Sequence, residues 1–390
     1  MQISSRPLLQ SLRRPIRAGV HELRLHWERR RSPRVRPVVV IFPSNQPWDP
    51  ASNLRAWLVA PELERLGWRA IVVPEPLTLS QRRRVLQLEQ PDVVLLQQTR
   101  HPLNRPALYA GYPCVLDADD ADYLDPRYQS MIAQCARDAA AVVGGSRFVA
   151  DCLGRHNPNS HVIWTGTPWI DHLARVAPAQ RPTVVAWAHS SPLDYPEEAA
   201  LVQRVMIEVA HRTACTFWLF GTHEDRAAAW FAPLRAAGAR CEAIAPLPYA
   251  DYLNKVAQAA VGLQPVCTRN AFSRGKSFGK LLAYLNGRVA VVASDAVDHS
   301  LFFRHGVNGY LVGDEPANWV ESIVTLLQQP SLRERIANAG YDDARRRLST
   351  RRFAELLDPV LREASSLKPK SPEIVMREGE EERPAPRGSA

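Results

Sequence analysis

Between Phe272 and Ser294 the chain reads FSRGKSFGKLLAYLNGRVAVVAS, where Lys276, Ser277 and Lys280 precede an apolar run. The spacing predicts a loop, a helix from Ser277 to Asn286, a tight turn and a strand. A helix start offers unpaired backbone N–H groups and the positive end of the helix dipole, and Lys280 falls one turn beyond Lys276 on the same side. That is chemistry suited to a phosphate. The same residues suit a solvated lysine pair beside a serine cap, and the pattern alone does not separate the two.

A second group of chemically able residues lies earlier. Asp119, Asp120 and Asp122 follow an apolar run that ends at Asp117. A carboxylate there, Asp120 in particular, suits orientation of an acceptor hydroxyl or work as a base; turns and helix caps ask for Asp as well. Trp48, in the loop PSNQPWDPASN, suits stacking on a sugar or lipid, or covering a core edge. The six cysteines stand apart, without Cys-x-x-Cys pairing and mostly inside apolar runs. They read as reduced core thiols, and no metal site is expected.

The elements that would position these residues follow from periodicity. Short, two-sided apolar runs at Pro37–Phe42, Ala70–Val73, Asp92–Gln97, Pro113–Asp117 and Ala141–Gly144 alternate with helical spacing such as Leu54, Leu58, Leu63 and Leu66 before Gly67. Strands alternating with helices imply a parallel sheet covered on both faces. After a Pro- and Ala-rich break at Ala177–Pro182 the alternation restarts with Thr183–Ala188, Cys215–Phe220, Cys241–Ala245, Val261–Val266, Val289–Ala293 and Tyr310–Val312. Helices are predicted at Pro196–His211, Asp251–Ala260 and Trp319–Leu327, and from Ser331 to Glu363 the pattern is helical only. The reading is α/β, with two Rossmann-like, doubly wound domains: a basic leader at 1–36, a first domain at 37–176, a linker at 177–182, a second domain with terminal helices at 183–364, and a tail at 365–390 expected to be disordered.

The chain has 390 residues and a formal charge of +9, but residues 1–36 hold ten Arg against Glu22 and Glu28, so the leader carries +8 and the remainder only +1. The globular part lacks the basic stripe with interleaved aromatics that nucleic acid requires, so no nucleic-acid partner is expected. No stretch approaches the roughly 18 consecutive apolar residues of a membrane span, and no secretory signal is visible, so a soluble, cytoplasmic protein is expected. In the leader, Ile16, Val20, Leu23 and Trp27 recur at helical spacing among arginines. Such a helix can lie in an anionic membrane interface at the inner face, or pack on the first domain.

The blocks Lys276-Ser277, Lys280, Val291-Val292-Ala293-Ser294, His305-Gly306-Val307-Asn308-Gly309 and Leu311-Val312 together resemble the donor-binding half of family 1/4-type (GT4-like) glycosyltransferases of GT-B architecture. Asp117-Ala118-Asp119-Asp120, Ser146 to Ala150, Val162 to Gly166 and Asp171 resemble that family's acidic strand end, serine-headed helix and interdomain strand. The resemblance implies a nucleotide-diphosphate sugar on the C-terminal wall, Lys276 and Lys280 neutralising the leaving diphosphate, Ser277 adding its hydroxyl and N–H, and no metal or other cofactor. It further implies nucleotide-binding places for His189 and Ser190 after the first strand of the second domain, for Tyr249 beside the base, and for Ala283. His189 equally suits an ordinary loop histidine, and Tyr249 core packing. The family's two glutamates, one on the sugar and one on the ribose, are replaced by Gly275 and Ala283.

The activity so implied is transfer of a sugar, hexosyltransferase-type, from a nucleotide-diphosphate sugar to a glycan, lipid-linked or small-molecule acceptor. The missing glutamates motivate an alternative, a noncatalytic GT-B scaffold or regulatory partner of another glycosyltransferase. An epimerase of the same architecture would need an acid and base pair near the sugar, which the sequence does not place.

Overall fold

The computed structural model describes residues 19–25, 27, 37–98, 100–171, 173 and 176–367. It contains two six-stranded, wholly parallel sheets. The first holds β1 (Val38–Phe42), β2 (Arg69–Val72), β3 (Val93–Gln97), β4 (Cys114–Ala118), β5 (Ala141–Gly144) and β6 (Ser160–Val162) in the order β2-β1-β3-β4-β5-β6. The second holds β7 (Val184–Ala188), β8 (Thr216–Phe220), β9 (Arg240–Ile244), β10 (Val261–Gln264), β11 (Ala290–Ser294) and β12 (Tyr310–Val312) in the order β12-β11-β10-β7-β8-β9. Each strand expected from an apolar run is present within two residues of its expected ends. Residues on both sides of β1, β3, β5, β7 and β11 are buried, as strands covered by helices on two faces must be.

The departures have local causes. The strand expected over Val162–Gly166 ends at Val162, although Ile163 N still bonds Gly144 O at 3.0 Å. Beyond it the chain turns to the second domain, and Thr167 pairs with the returning chain: Thr167 N to Leu348 O and Thr350 N to Thr167 O, each 3.0 Å. The helix expected over Asp251–Ala260 runs Tyr249–Val256. The helical spacing before Gly67 is split into Pro50–Ser52, a π-turn at Asn53–Trp57 and Ala60–Arg65.

The last helix, Thr350–Ser366, follows the second domain in sequence but packs on the first. Phe353, Leu357, Val360 and Leu361 are buried with Ile41, Leu95 and Val115, so the division at residue 364 does not follow the packing. The linker is fastened to the second domain by two guanidinium groups answered by carbonyls. Arg181 donates to Ala259 O (3.0 Å), Gly287 O (2.7 Å) and Arg288 O (2.8 Å), and Arg333 to Pro178 O and Ala179 O, both 3.0 Å.

Of the leader, residues 19–25 are helical. Leu25 is buried among Val38, Val40 and Ile71, and Glu22 pairs with Arg84 at 2.5 Å, which ties this turn to the first domain; Val20 and Leu23 face outward. The rest of the leader apart from Trp27, and the tail beyond 367, lie outside the described residues.

One hydroxyl sets the end of β7, from which the site grows. Tyr284 Oη accepts from Ala188 N (2.6 Å) and faces Ala186 O (3.0 Å) and Leu263 O (3.3 Å), bridging β7 and β10. Tyr284→Phe leaves a buried amide unpaired, and urea unfolding is expected to show a loss of about 1–3 kcal/mol.

Candidate functional site

In an open parallel sheet, loops leaving the carboxyl ends of adjacent strands diverge where the strand order reverses, and a crevice opens there. In the second sheet the reversal lies between β7 and β10. The loops after them carry His189 and Ser190, and Pro265 and Val266. These residues line a cavity of about 210 Å³ with Gln264, Lys276, Ser277, Gly279 and Lys280. The opposite wall comes from the first domain: Pro50, Ala51 and Leu54 after β1, Asp119 and Asp120 after β4, and Thr165.

The lysines reach this cavity by a different local structure from the one expected. Phe272–Gly275 is a 3-10 turn, Lys276 to Gly279 is irregular, and the helix begins only at Leu281, with Lys280 as its N-cap. Ser277 therefore does not open a helix. Phe278, the residue after it, is fully buried against Trp164 (4.8 Å), Phe302 (5.5 Å) and His299 (5.9 Å), and its carbonyl accepts from Leu282 N (3.0 Å) as the helix takes over. Six helical residues make a weak dipole, so attraction for an anion rests on the ammonium groups themselves.

Lys276 Nζ donates to Tyr195 Oη (3.2 Å) and lies over the rings of Phe272 (4.7 Å) and Tyr195 (5.1 Å). Lys280 makes no hydrogen bond or ion pair among the described residues. Burial first, then Lys276, pushes its pKa below the ordinary lysine value, while Asp120, Asp119 and Asp49 across the cavity pull it back. Ser277 Oγ is buried in the cavity wall without a hydrogen-bond partner among the described residues.

His189 is neutral. Its Nδ1 accepts from Ser191 N (3.1 Å), which leaves Nε2 as the donor, and burial, Lys280 and Lys276 push its pKa down to about 3. The loop carrying it passes so close to the turn after β8 that a Cβ on Gly221, at φ +84°, would meet His189 O at 2.0 Å. Ser190 sits on the exposed rim of the cavity.

Two expected nucleotide-binding residues are elsewhere. Ala283 is buried with Leu281, Leu282 and Leu285 in the core beneath the loop, and a glutamate there would be desolvated among apolar side chains. Tyr249 packs against that core, its hydroxyl hydrogen-bonded to Thr167 (3.2 Å). Neither lines the cavity. Gly275, the other position lacking a glutamate, abuts the first domain: a Cβ there would lie 2.6 Å from Ala121 Cβ, and its carbonyl accepts from Ser146 Oγ (3.2 Å). The space a side chain would need is taken by the opposite wall.

Of the aspartates, Asp120 and Asp122 both pair with Arg100, and Asp120 also faces the cavity. Asp119 belongs to a buried network: Arg55 donates to Asp117 through Nη2 (2.5 Å) and Nε (2.9 Å), and Thr165 Oγ1 donates to Asp119 Oδ1 (2.9 Å). Burial pushes the Asp119 carboxyl up, against the pull of Arg55. Trp48 stands exposed on its loop and does not line the cavity. Asp171 accepts from Tyr341 Oη (3.1 Å), a structural tie between the end of the first domain and the helix Pro330–Arg347.

Arg55, Tyr195 and Glu198 were not legible as site residues. Arg55 lies in the π-turn and is buried against Asp117 and Thr165, partners far from it in sequence. Tyr195 and Glu198 sit at the start of the helix Pro196–Arg212, where a carboxylate is an ordinary first-turn residue. Glu198 Oε1 instead accepts from Cys267 N and Ser273 Oγ, both 3.0 Å, and so fixes the loop that carries Lys276.

Among the described residues no cluster of His, Cys, Asp and Glu is arranged to hold a metal, and no helix is long and apolar enough to cross a membrane. Residues 200–358 match the family model described as glycosyl transferase-like. No curated protein matches the chain. Among solved structures it is similar to the Anabaena protein HepE in complex with UDP and glucose (13% identity, 84% of this chain and 99% of that one, TM-score 0.58). It is likewise similar to a glycosyltransferase from Rickettsia africae (10% identity, 85% and 99%, TM-score 0.63) and to sucrose-phosphate synthase from Thermosynechococcus elongatus (13% identity, 84% and 98%, TM-score 0.59). With two facing parallel-sheet domains and a glycosyl transferase-like second half, the chain has the GT-B architecture and resembles the family 1/4 glycosyltransferases.

Proposed function

We propose that this protein transfers a sugar from a nucleotide-diphosphate sugar to an acceptor held by the first domain. The observation that carries the reading is Lys280, an ammonium enclosed at the switch point of the second sheet, beside Lys276 and without a hydrogen-bond or ion-pair partner among the described residues. A diphosphate supplies the charge this wall lacks, and stabilising it as the glycosidic bond breaks is where these cations would act as catalytic groups. His189 Nε2–H, Ser190 and Ser277 are the neutral donors around it. Asp120, facing the cavity from the other wall, suits orientation of the acceptor hydroxyl. The hexosyl nature of the donor and the glycan, lipid-linked or small-molecule nature of the acceptor are parts of the same proposal. No metal ion enters it.

A peripheral position on the inner face of a membrane is also proposed. The helical turn 19–25 is held to the first domain through Leu25 and Glu22 while Val20 and Leu23 face outward, and the leader around it carries +8. This geometry offers apolar contacts and positive charge to an anionic lipid surface.

A thermal-shift screen of UDP-, GDP-, ADP- and dTDP-sugars tests the main reading, since a ligand bound only by the folded state raises Tm. With the nucleotide so found, titration calorimetry is expected to show Lys276→Ala and Lys280→Ala each weakening nucleoside diphosphate binding by roughly ten- to a hundredfold, the loss of one charge-assisted hydrogen bond. Unchanged affinity in both variants overturns the donor site and favours the scaffold reading.

His189 gives a pH test. Its imidazole titrates near 6.5 when unfolded and about 3 when folded, so its contribution to stability is complete above pH 6.5 and is lost as pH falls from 6.5 towards 3. His189→Gln is expected to reduce the slope of unfolding free energy against pH between 4 and 6.5 in urea titrations, by at most about 1.4 kcal/mol per pH unit. His299, lowered to about 4, leaves a residual slope of the same sign.

For the membrane position, flotation with vesicles rich in phosphatidylserine at low salt is expected to carry the full chain up and to leave a form lacking residues 1–36 at the bottom. Failure of the full chain to float removes this part of the proposal.

A further inference from the structure

The second-domain wall of the cavity presents two ammonium groups, Lys276 and Lys280, beside hydroxyls and the Gln264 amide, which accept as well as donate. Its one carboxylate, Glu198, accepts through Oε1 from Cys267 N and Ser273 Oγ. A sugar joined to a diphosphate carries hydroxyl groups that donate as well as accept, and an ionised carboxylate oxygen is the strongest acceptor for their protons. The facing domain adds two carboxylates to the lining.

There, two aspartates line the cavity and differ in what holds them. Asp120 shares Arg100 with Asp122, so part of its charge is already answered. Asp119 is held by one oxygen only. Oδ1 accepts from Thr165 Oγ1 (2.9 Å) and lies 3.5 Å from Arg55 Nη1, while Oδ2 has no partner among the described residues. Oδ1 is anchored: Arg55 is itself fixed by two bonds to Asp117, and the backbone of Gly145 passes so close that a Cβ there would fall 2.4 Å from Asp119 Oδ1. A carboxylate clamped at one oxygen and open at the other is a preorganised acceptor. The contact of Gly275 with Ala121 brings the loop bearing Asp119 against the segment bearing Lys276 and Lys280, and Asp119 lines the same cavity as both lysines.

We propose that Asp119 accepts a hydrogen bond through Oδ2 from a hydroxyl of the donor's sugar, making it the residue by which the first domain discriminates a nucleotide sugar from a bare nucleoside diphosphate. This rests on the nucleotide-sugar reading above. Arg55 and Thr165 are then positioning residues, which set the direction of that oxygen without touching the ligand through it.

The test is titration calorimetry of the parent, Asp119→Asn and Asp120→Asn with UDP and UDP-glucose, or with the matching GDP, ADP or dTDP pair if thermal shift selects it. Asp119→Asn is expected to lose roughly ten- to a hundredfold in affinity for the sugar nucleotide while its affinity for the nucleoside diphosphate stays within about threefold. Asp120→Asn, which removes the same charge from the same wall, is expected to change the ratio of the two affinities by less than about threefold. Equal losses for both ligands in Asp119→Asn, or no loss for either, overturn the assignment while leaving the diphosphate site standing. A thermal melt of each variant identifies a folding defect, and in that event Thr165→Val supplies the reading: releasing Oδ1 frees the carboxylate to turn, and an unchanged affinity ratio there also overturns the proposal. Absence of binding by any nucleoside diphosphate to the parent removes the underlying function as well.

Discussion

Two ammonium groups on one wall repel each other, and this wall bonds neither to a carboxylate. Lys276 is steadied by the rings of Tyr195 and Phe272, whose electron-rich faces tolerate a cation, while Lys280 is enclosed with its charge opposed only from across the cavity. Much else in the molecule answers to this arrangement. Glu198 ties down the loop before Lys276, Phe278 buries itself and fixes the backbone between the lysines, and Tyr284 sets the strand end from which His189 projects. The histidine stays neutral because burial, and after it the two neighbouring ammonium groups, disfavours its charge.

The opposite wall has the complementary problem. Asp117 and Asp119 sit at the end of β4 with Arg55 wholly buried between them, a pairing that removes one partner's desolvation cost only if the other remains. The domains meet at small side chains, Gly275 on Ala121, and at polar links such as Arg147 Nε to Asp298 (3.0 Å) and Trp164 Nε1 to Asp298 (2.8 Å). Opposed charges on walls this close favour the facing arrangement in which the cavity exists.

Strand positions were legible in the sequence because parallel strands buried on both faces leave uninterrupted apolar runs, and β1, β5 and β12 fall within one residue of where those runs lie. Lys276, Lys280 and the aspartates after β4 were legible as charge-bearing types at loop positions. The helix start at Ser277 was not: the local pattern favours a helix there, whereas the chain makes a 3-10 turn at Phe272–Gly275 and begins the helix at Leu281. Ala283 entered through the resemblance alone, and its burial among Leu281, Leu282 and Leu285 is set by the tertiary core. Arg55 was hidden because burial of a charge is decided by a partner 62 residues away in sequence, which no local window contains.

The return of the helix Thr350–Ser366 to the first sheet bears on how such a chain comes to be made. Synthesis proceeds from the amino end, so the first sheet emerges while the apolar side chains that cover one of its faces, Phe353, Leu357, Val360 and Leu361, are still untranslated. That face stays open to solvent through the making of the entire second domain, and the half of the protein that is born first is the half that finishes folding last.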